Sequence, residues 1–384
     1  MTSPIDQVLQ DAVAAGAVPN VVAMAAGRDG PIYEGAAGPR VAGEDEPVTA
    51  DTHFRIFSMT KMVCTVAALQ QMEQGRLDLD APVEDYCPEF KQVQVLDGFD
   101  GDTPRLRPPA SAATVKQLIT HTSGLGYWFW NADLLRWETA TETPNVLSGA
   151  NVIFPAPLLA DPGTRFEYGI NTDWLGKVVE ATSGVTLDVA IKDGITGPLG
   201  MDDTAFLMSA GQRAGSTPIH VPGEDGGWVA TDVDLRQDPE YWAGGHGLHS
   251  TPRDYLKFQQ ALLHDGTFGG VSILSKETVD AAFSNQIGDL DFPAAIPTCD
   301  PAASHDFNAG PGFKWGYGLL LNTEDIPGRR RAWSGAWAGI CNTHFWVDRT
   351  TGITGAIYSQ FLPFVPPAAL QMYADFESAL YASL

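Results

Sequence analysis

The 384-residue chain has only four cysteines, and Cys64, Cys87, Cys299 and Cys341 are scattered with no C-x-x-C pair. That spacing excludes a disulfide-dense scaffold and a paired-cysteine zinc site, and it reads as reduced, structural thiols. Positive charge is also scarce: 23 Lys and Arg stand against 47 Asp and Glu, a formal net charge of −24. A chain this acidic repels polyphosphates and anionic lipid, so neither nucleic acid nor a membrane is an expected partner. No apolar run approaches the length of a membrane span. The first residues, "MTSPIDQVLQDAVAAGAVPN", lack the basic and continuous apolar stretches of a secretory leader. A cytoplasmic location is the expectation. H-E-x-x-H and G-x-S-x-G are absent too, which removes the sequence support for a zinc protease and for an α/β-hydrolase elbow. His246 and His249 in "GGHGLHS" have no third ligand nearby, so no metal and no cofactor are expected.

What is present is the pattern of a large α+β protein. Residues 5 to 15 read as a helix, and "VVAMAAG" and "PIYEGAAG" around "RDG" read as a hairpin. Near the other end, "YGLLLN", "RRAWSGAW", "NTHFWVD" and "ITGAIYSQF" are strand-like, and "PPAALQMYADFESAL" is an amphipathic helix. Between them, "ATVKQLITHTSGL", "TDWLGKVVEATSG" and "LDVAIKDGITGPLG" have helical periodicity and Pro- and Gly-rich connections. The predicted architecture is one antiparallel sheet flanked by terminal helices, built from residues 1–82 and 250–384. A mainly helical region, 83–249, is inserted, and the active site is expected at the junction.

The most informative stretch is "FRIFSMTKMVCTVAALQQMEQG". After Ser58 and Lys61, nearly every residue to Met72 is apolar on all faces, the mark of a buried helix ending at Gly75. Burial disfavours an ammonium, so Lys61 must be paired, reach water in a cleft, or have a lowered pKa. Three residues apart on a helix, Ser58 and Lys61 share a face. They therefore form a candidate nucleophile and base at a helix N-terminus whose field favours developing negative charge. The plain alternative has Ser58 as an N-cap and Lys61 reaching the surface, and S-x-x-K is short enough to arise by chance.

The order of several blocks narrows the reading. "FRIFSMTK", "QLITHTSGLGYW", "FEYGINTDWLGKVVEATSG", "GGHGLHSTPRDYLKF" and "WSGAWAGICNTHFWVDRTTG" resemble the serine β-lactamase-like superfamily. The similarity is greatest to family VIII carboxylesterases, relatives of class C β-lactamases. The resemblance implies a β-lactamase/penicillin-binding-protein-like fold, Ser58 as acyl-accepting nucleophile, Lys61 as its base and Tyr168 as the tyrosine that relays protons. A phenol beside an ammonium is expected to have a lowered pKa. It further implies that Trp333–Gly335 is the third motif, that the N–H groups of Ser58 and Ala336 form an oxyanion hole, and that Gly335 allows close approach of the strand. Trp333 then stands where K-T-G enzymes have a lysine, and Ile170 where Y-x-N enzymes have an amide. Both changes favour a neutral ester over a β-lactam.

Tyr127, Trp128 and Trp333 are the aromatic side chains expected to bind substrate, although such residues more often fill cores. The implied activity is hydrolysis of carboxylic esters with short acyl groups, acting on a small-molecule ester. Alternatives are a β-lactamase or D-amino-acid peptidase, an acyltransferase using the same acyl-enzyme, or a non-catalytic ligand-binding relative. "PGRRRAW" reads as a solvated hairpin, and residues 288–312 as either a lid or an irregular surface loop. The oligomeric state is left open.

Overall fold

A computed structural model describes residues 3–224 and 226–384. Its centre is a seven-stranded antiparallel sheet assembled from both ends of the chain. Strands β1 (Val21–Gly27) and β2 (Gly30–Ala37) are the N-terminal hairpin; β3 (Phe313–Trp315), β4 (Leu320–Asn322), β5 (Gly335–Gly339), β6 (Thr343–Asp348) and β7 (Ile353–Tyr358) follow late in the sequence. Their order is β3-β4-β5-β6-β7-β1-β2, and β1 pairs β7 with Val22 opposite Tyr358 and Ala26 opposite Thr354.

Every residue of β1, β6 and β7 is buried, because both faces of the sheet are covered. Val21, Ala23, Ala25, Trp346, Ile353 and Ile357 pack against α1 (Pro4–Ala14) and the C-terminal helix α5 (Pro367–Ala382). Val22, Met24, Ala26, Phe345, Val347 and Tyr358 face the opposite way and join the main core. The period-2 alternation of a strand thus sorts side chains between two apolar layers, which is why the sequence shows continuous apolar runs here. On the main-core side lie α2 (Thr60–Glu73) and α4 (Pro252–Leu263). All residues from Thr60 to Leu69 are buried, as an all-round apolar helix requires. Its end is the expected one, with Gly75 at φ 70°.

The inserted stretch is less regular than predicted. Helix α3 (Asn171–Ser183) packs along α2, but Val115–Ile119 and Leu187–Ile191 are single short turns. Two small hairpins, Val95–Asp100 with Thr103–Arg107 and His220–Pro222 with Trp228–Ala230, also occur there.

The basic run is not a solvated hairpin throughout. Arg330 is buried, and its guanidinium makes two bonds to the buried Glu377 of α5, at 2.8 and 2.7 Å, and one to Tyr373 at 2.9 Å. The C-terminal helix supplies the counter-charge, a partner 47 residues away that local sequence cannot reveal.

Candidate active site

Ser58 does not cap a helix. Phe57 takes a left-handed conformation, φ 42°, that a bulky residue rarely adopts, and Phe57–Met59 form a single 3₁₀ turn running into α2. No side-chain cap bond is made there, so the hydroxyl is free for other partners. This sharp entry is held by its neighbours: Phe54 and Arg55 pair with Ser250 and His249, and the N–H of Ile56 donates to Leu248 O at 3.1 Å. Leu248 N–H in turn donates to Thr60 Oγ1 at 3.1 Å. The loop at 243–248 is thereby fixed against the start of α2.

Lys61 is 1 % exposed, and its Nζ lies 3.0 Å from Ser58 Oγ, 3.0 Å from Tyr127 OH and 2.7 Å from Gly245 O. Three oxygen partners saturate an ammonium's donors or orient a neutral amine. Burial pushes the Lys61 pKa down from the ordinary 10.5, opposed by the negative charge of Asp173 on α3. Tyr168, on the turn before α3, faces the same point: Lys61 Nζ sits 4.7 Å from its ring centroid, and Trp337 Nε1 donates to its hydroxyl at 2.8 Å. The expectation of a lowered Tyr168 pKa fails. Burial raises it, and this outweighs the neighbouring Ser58 hydroxyl and the bond from Trp337, both of which favour the phenolate. Tyr168 is therefore a neutral phenol across the physiological range. Burial likewise pushes Tyr127 up and the ring of His121, 4.6 Å from that of Tyr168, down.

The third block sits two turns of the alternation away from its predicted place. Trp333 is at a left-handed turn, φ 63°, and is 44 % exposed. Gly335 faces Leu319 and Phe283, and Ala336 packs toward the terminal-helix layer. Ala336 also lies between ladder partners on both sides, Leu320 and Trp346, so its N–H belongs to the sheet. None of the three is brought to Ser58. The segment that is brought there is Trp337–Ala338–Gly339. Beyond Ala336, β5 has no strand partner on its β4 side among the described residues, and Gly339 abuts Ile56 O so closely that any Cβ would collide with it and with Thr343 Oγ1. Gly339 O accepts from Asn342 N on the β6 side, so the alternating residues Ala338 and Ile340 turn their N–H groups to the open edge. Ile340 N–H has no acceptor among the described residues. The chain contains W-S-G and W-A-G four residues apart in the same strand parity; hydropathy does not separate them, and only the length of β4 does.

An aromatic wall surrounds this centre. Trp337 contacts Trp315 (4.7 Å between centroids), Phe292 and Phe307. The stretch 288–312 forms part of that wall: Cys299 N donates to Phe129 O at 2.7 Å, Trp128 Nε1 to Asp300 Oδ2 at 3.0 Å, and His305 N to Phe364 O at 2.9 Å. Trp128 is thus turned onto this segment, while Tyr127 points at Lys61. Asn171, one residue later than a Y-x-N amide, braces a turn instead through Ser123 and Leu125; Tyr127 and Gly245 occupy the polar positions on Lys61. His246 is buried and its pKa is pushed down to about 3 by burial first and then by Lys61. It lies 3.6 Å from Asp173, too far for a hydrogen bond. Among the described residues no cluster of His, Cys, Asp and Glu could hold a metal ion, and no helix is long and apolar enough to cross a membrane.

A serine, a buried lysine and a tyrosine at the junction of an antiparallel sheet and an inserted, partly helical region define an enzyme of the serine β-lactamase superfamily. The chain belongs to the beta-lactamase family, which matches residues 5–380. It is 31 % identical to a monacolin J acid methylbutanoyltransferase of Aspergillus terreus, over 98 % of this chain and 95 % of that protein. It is also 31 % identical to a lovastatin esterase of Penicillium rubens, over 91 % of each. The structure of unliganded simvastatin synthase from Aspergillus terreus superposes with a TM-score of 0.87 at 29 % identity, covering 100 % of this chain and 99 % of that one. By name the first of these relatives is an acyltransferase and the second an esterase.

Proposed function

We propose that this protein cleaves neutral carboxylic esters through an acyl-Ser58 intermediate, with a small-molecule ester as substrate and water or an alcohol as acceptor. The observation that carries the reading is the buried Lys61 amine, within hydrogen-bonding distance of Ser58 and kept basic but not permanently charged. Neutral Lys61 takes the Ser58 proton as Oγ attacks the acyl carbon. The C–O bond to the leaving alcohol then breaks, Tyr168 gives its proton to that oxygen, and Lys61 returns one to the phenol. An acceptor hydroxyl enters by the reverse sequence and releases the acyl group. For the oxyanion, the N–H groups of Ser58 and Ile340 are the donors we favour, Ala336 being committed to the sheet.

Neutral substrates are favoured because Trp337, where K-T-G enzymes have a lysine, offers an indole already bonded to Tyr168. The wall around it is aromatic, so short or branched apolar acyl groups suit it, as in family VIII carboxylesterases. Transfer to an alcohol is the second reading. The methylbutanoyltransferase and the esterase among the relatives support both fates of one acyl-enzyme. Mass spectrometry after fluorophosphonate treatment should place one adduct on Ser58, and p-nitrophenyl butyrate turnover should vanish in Ser58→Ala. Product analysis with added alcohols then divides hydrolysis from transfer. Unchanged turnover in the alanine variant would reject the whole reading.

A further inference from the structure

One buried charge near the site has no part in the steps above. Asp173, on the first turn of α3, is fully buried, yet among the described residues its only hydrogen-bonded partner outside its own turn is the N–H of Gly245, 3.0 Å from Oδ1. Oδ2 has no hydrogen-bond partner among the described residues. A carboxylate so poorly bonded inside a protein is strongly disfavoured unless a cation compensates it. The charged and titratable groups around it are Lys61 and Cys64 from α2, Tyr127, Tyr168, Tyr241 and His246. The histidine is held neutral by burial, and the phenols and thiol are pushed up. Lys61 alone can supply the positive charge.

The link between them is Gly245. Its N–H donates to Asp173, and its carbonyl accepts from Lys61 Nζ at 2.7 Å. A Cβ at Gly245 would collide with the Asp173 carboxylate, so this residue type lets the acid sit directly under the loop that holds the base. Cys64 Sγ and the Thr172 carbonyl pack on the next glycine, Gly244, closing the space from below.

We propose that Asp173 is the positioning residue of the catalytic base. Through Gly245 it fixes the carbonyl that aims Lys61 at Ser58, and its charge sets how readily Lys61 gives up a proton. The inference rests on the acyl-Ser58 reading. Asp173 is hydrogen-bonded to Gly245 and not to Ser58. Its role is to keep the buried amine basic enough to deprotonate Ser58, where burial alone would drive the proton affinity too low.

The test is Asp173→Asn, which retains a carbonyl oxygen for Gly245 N–H, removes the charge and places an NH2 group where Oδ2 stood. The rate of Ser58 labelling by a fluorophosphonate, followed against pH, reports the protonation of Lys61. The acid limb should move down by about one to three pH units, the range for a neighbouring opposite charge, and the plateau rate should fall as the base weakens. Full-rate rescue by Asp173→Glu is not expected, since the longer side chain cannot occupy the space under Gly245. An acid limb at the wild-type position overturns the inference, whereas wild-type protein that does not label at Ser58 overturns the acyl-Ser58 reading instead. Stability supplies a readout that needs no activity. Thermal unfolding of Asp173→Asn, Lys61→Met and the double variant should be non-additive, the second change restoring part of the Tm lost to the first. Additive Tm losses would mean that the two charges are uncoupled.

Discussion

At the scale of single residues, the site runs on one contest, burial against charge. For Lys61 burial wins and lowers the pKa, so the amine becomes a base well below the ordinary lysine range. For Tyr168 burial also wins, but with the opposite sign, because it is the phenolate that is penalised. The pH dependence of kcat/KM follows. Activity should rise with pH as Lys61 loses its proton, with a limb below 10.5, and should not fall again below pH 9 since Tyr168 keeps its proton. Stopped assays on p-nitrophenyl butyrate across pH 5–9 check the rise and the absence of a fall. Lys61→Ala should cost on the order of 10³-fold or more in kcat, and Tyr168→Phe roughly 10²- to 10⁴-fold, the range for losing a general acid. A Tyr168→Phe variant at wild-type rate would move the proton donor elsewhere, with Tyr127 the first place to look.

Among elements, β5 decides which backbone N–H groups face the Ser58 turn. Its pairing with β4 ends at Ala336, and the unpaired edge that follows lies against the Ser58 turn. Gly339→Val should lower kcat by about 10²-fold, as for loss of an oxyanion donor, because the side chain must push β5 away from Ile56 O. Gly335→Ala, at the position first expected to matter, meets the buried side chains of Leu319 and Phe283 rather than the backbone at the Ser58 turn and should cost less activity, its effect being on packing. Comparing these two variants on one ester decides between the W-A-G and W-S-G assignments.

The helix Ala132–Thr141 carries a second consequence. Burial pushes the carboxyl of Glu138 up from 4.5 to about 7. A folded-state pKa above the unfolded one means that the native state holds the proton longer, so stability is lost as pH rises from about 4.5 to about 7. Glu138→Gln should be more stable than wild type at pH 8 and flatter across that window, measured by urea unfolding at several pH values.

On the scale of the whole molecule, the chain's two ends must meet before there is a site at all. Ser58 belongs to the first sixth of the sequence, while β5 and the Gly245 loop arrive much later. The ends are locked partly by Arg330 and Glu377, a buried pair with two short bonds. Glu377→Ala leaves an unpaired buried cation and should destabilise the fold by about 3–5 kcal/mol, whereas Arg330→Met with Glu377→Leu should recover most of it. Guanidinium unfolding of the three proteins tests this, and the double variant should keep the p-nitrophenyl butyrate turnover measured for the wild type, because the pair lies on the terminal-helix face of the sheet.

By itself the sequence determined the elements whose character is written in local pattern. These are the all-round apolar helix α2 with its lone Lys61, the strands buried on both faces, the terminal helices, and the Ser58–Lys61 spacing on one helical face. Tyr168 was legible through its place in an ordered set of blocks. Only tertiary structure decided what depends on partners distant in the chain. The end of β4 chose Trp337–Gly339 over Trp333–Gly335; α5 turned Arg330 from a surface charge into a buried one; and the loop at 243–248 carried Gly245, with Asp173 behind it, to Lys61. The reason is physical: periodicity records which face of an element is buried, but hydrogen bonds and charges are satisfied by whatever the fold brings alongside.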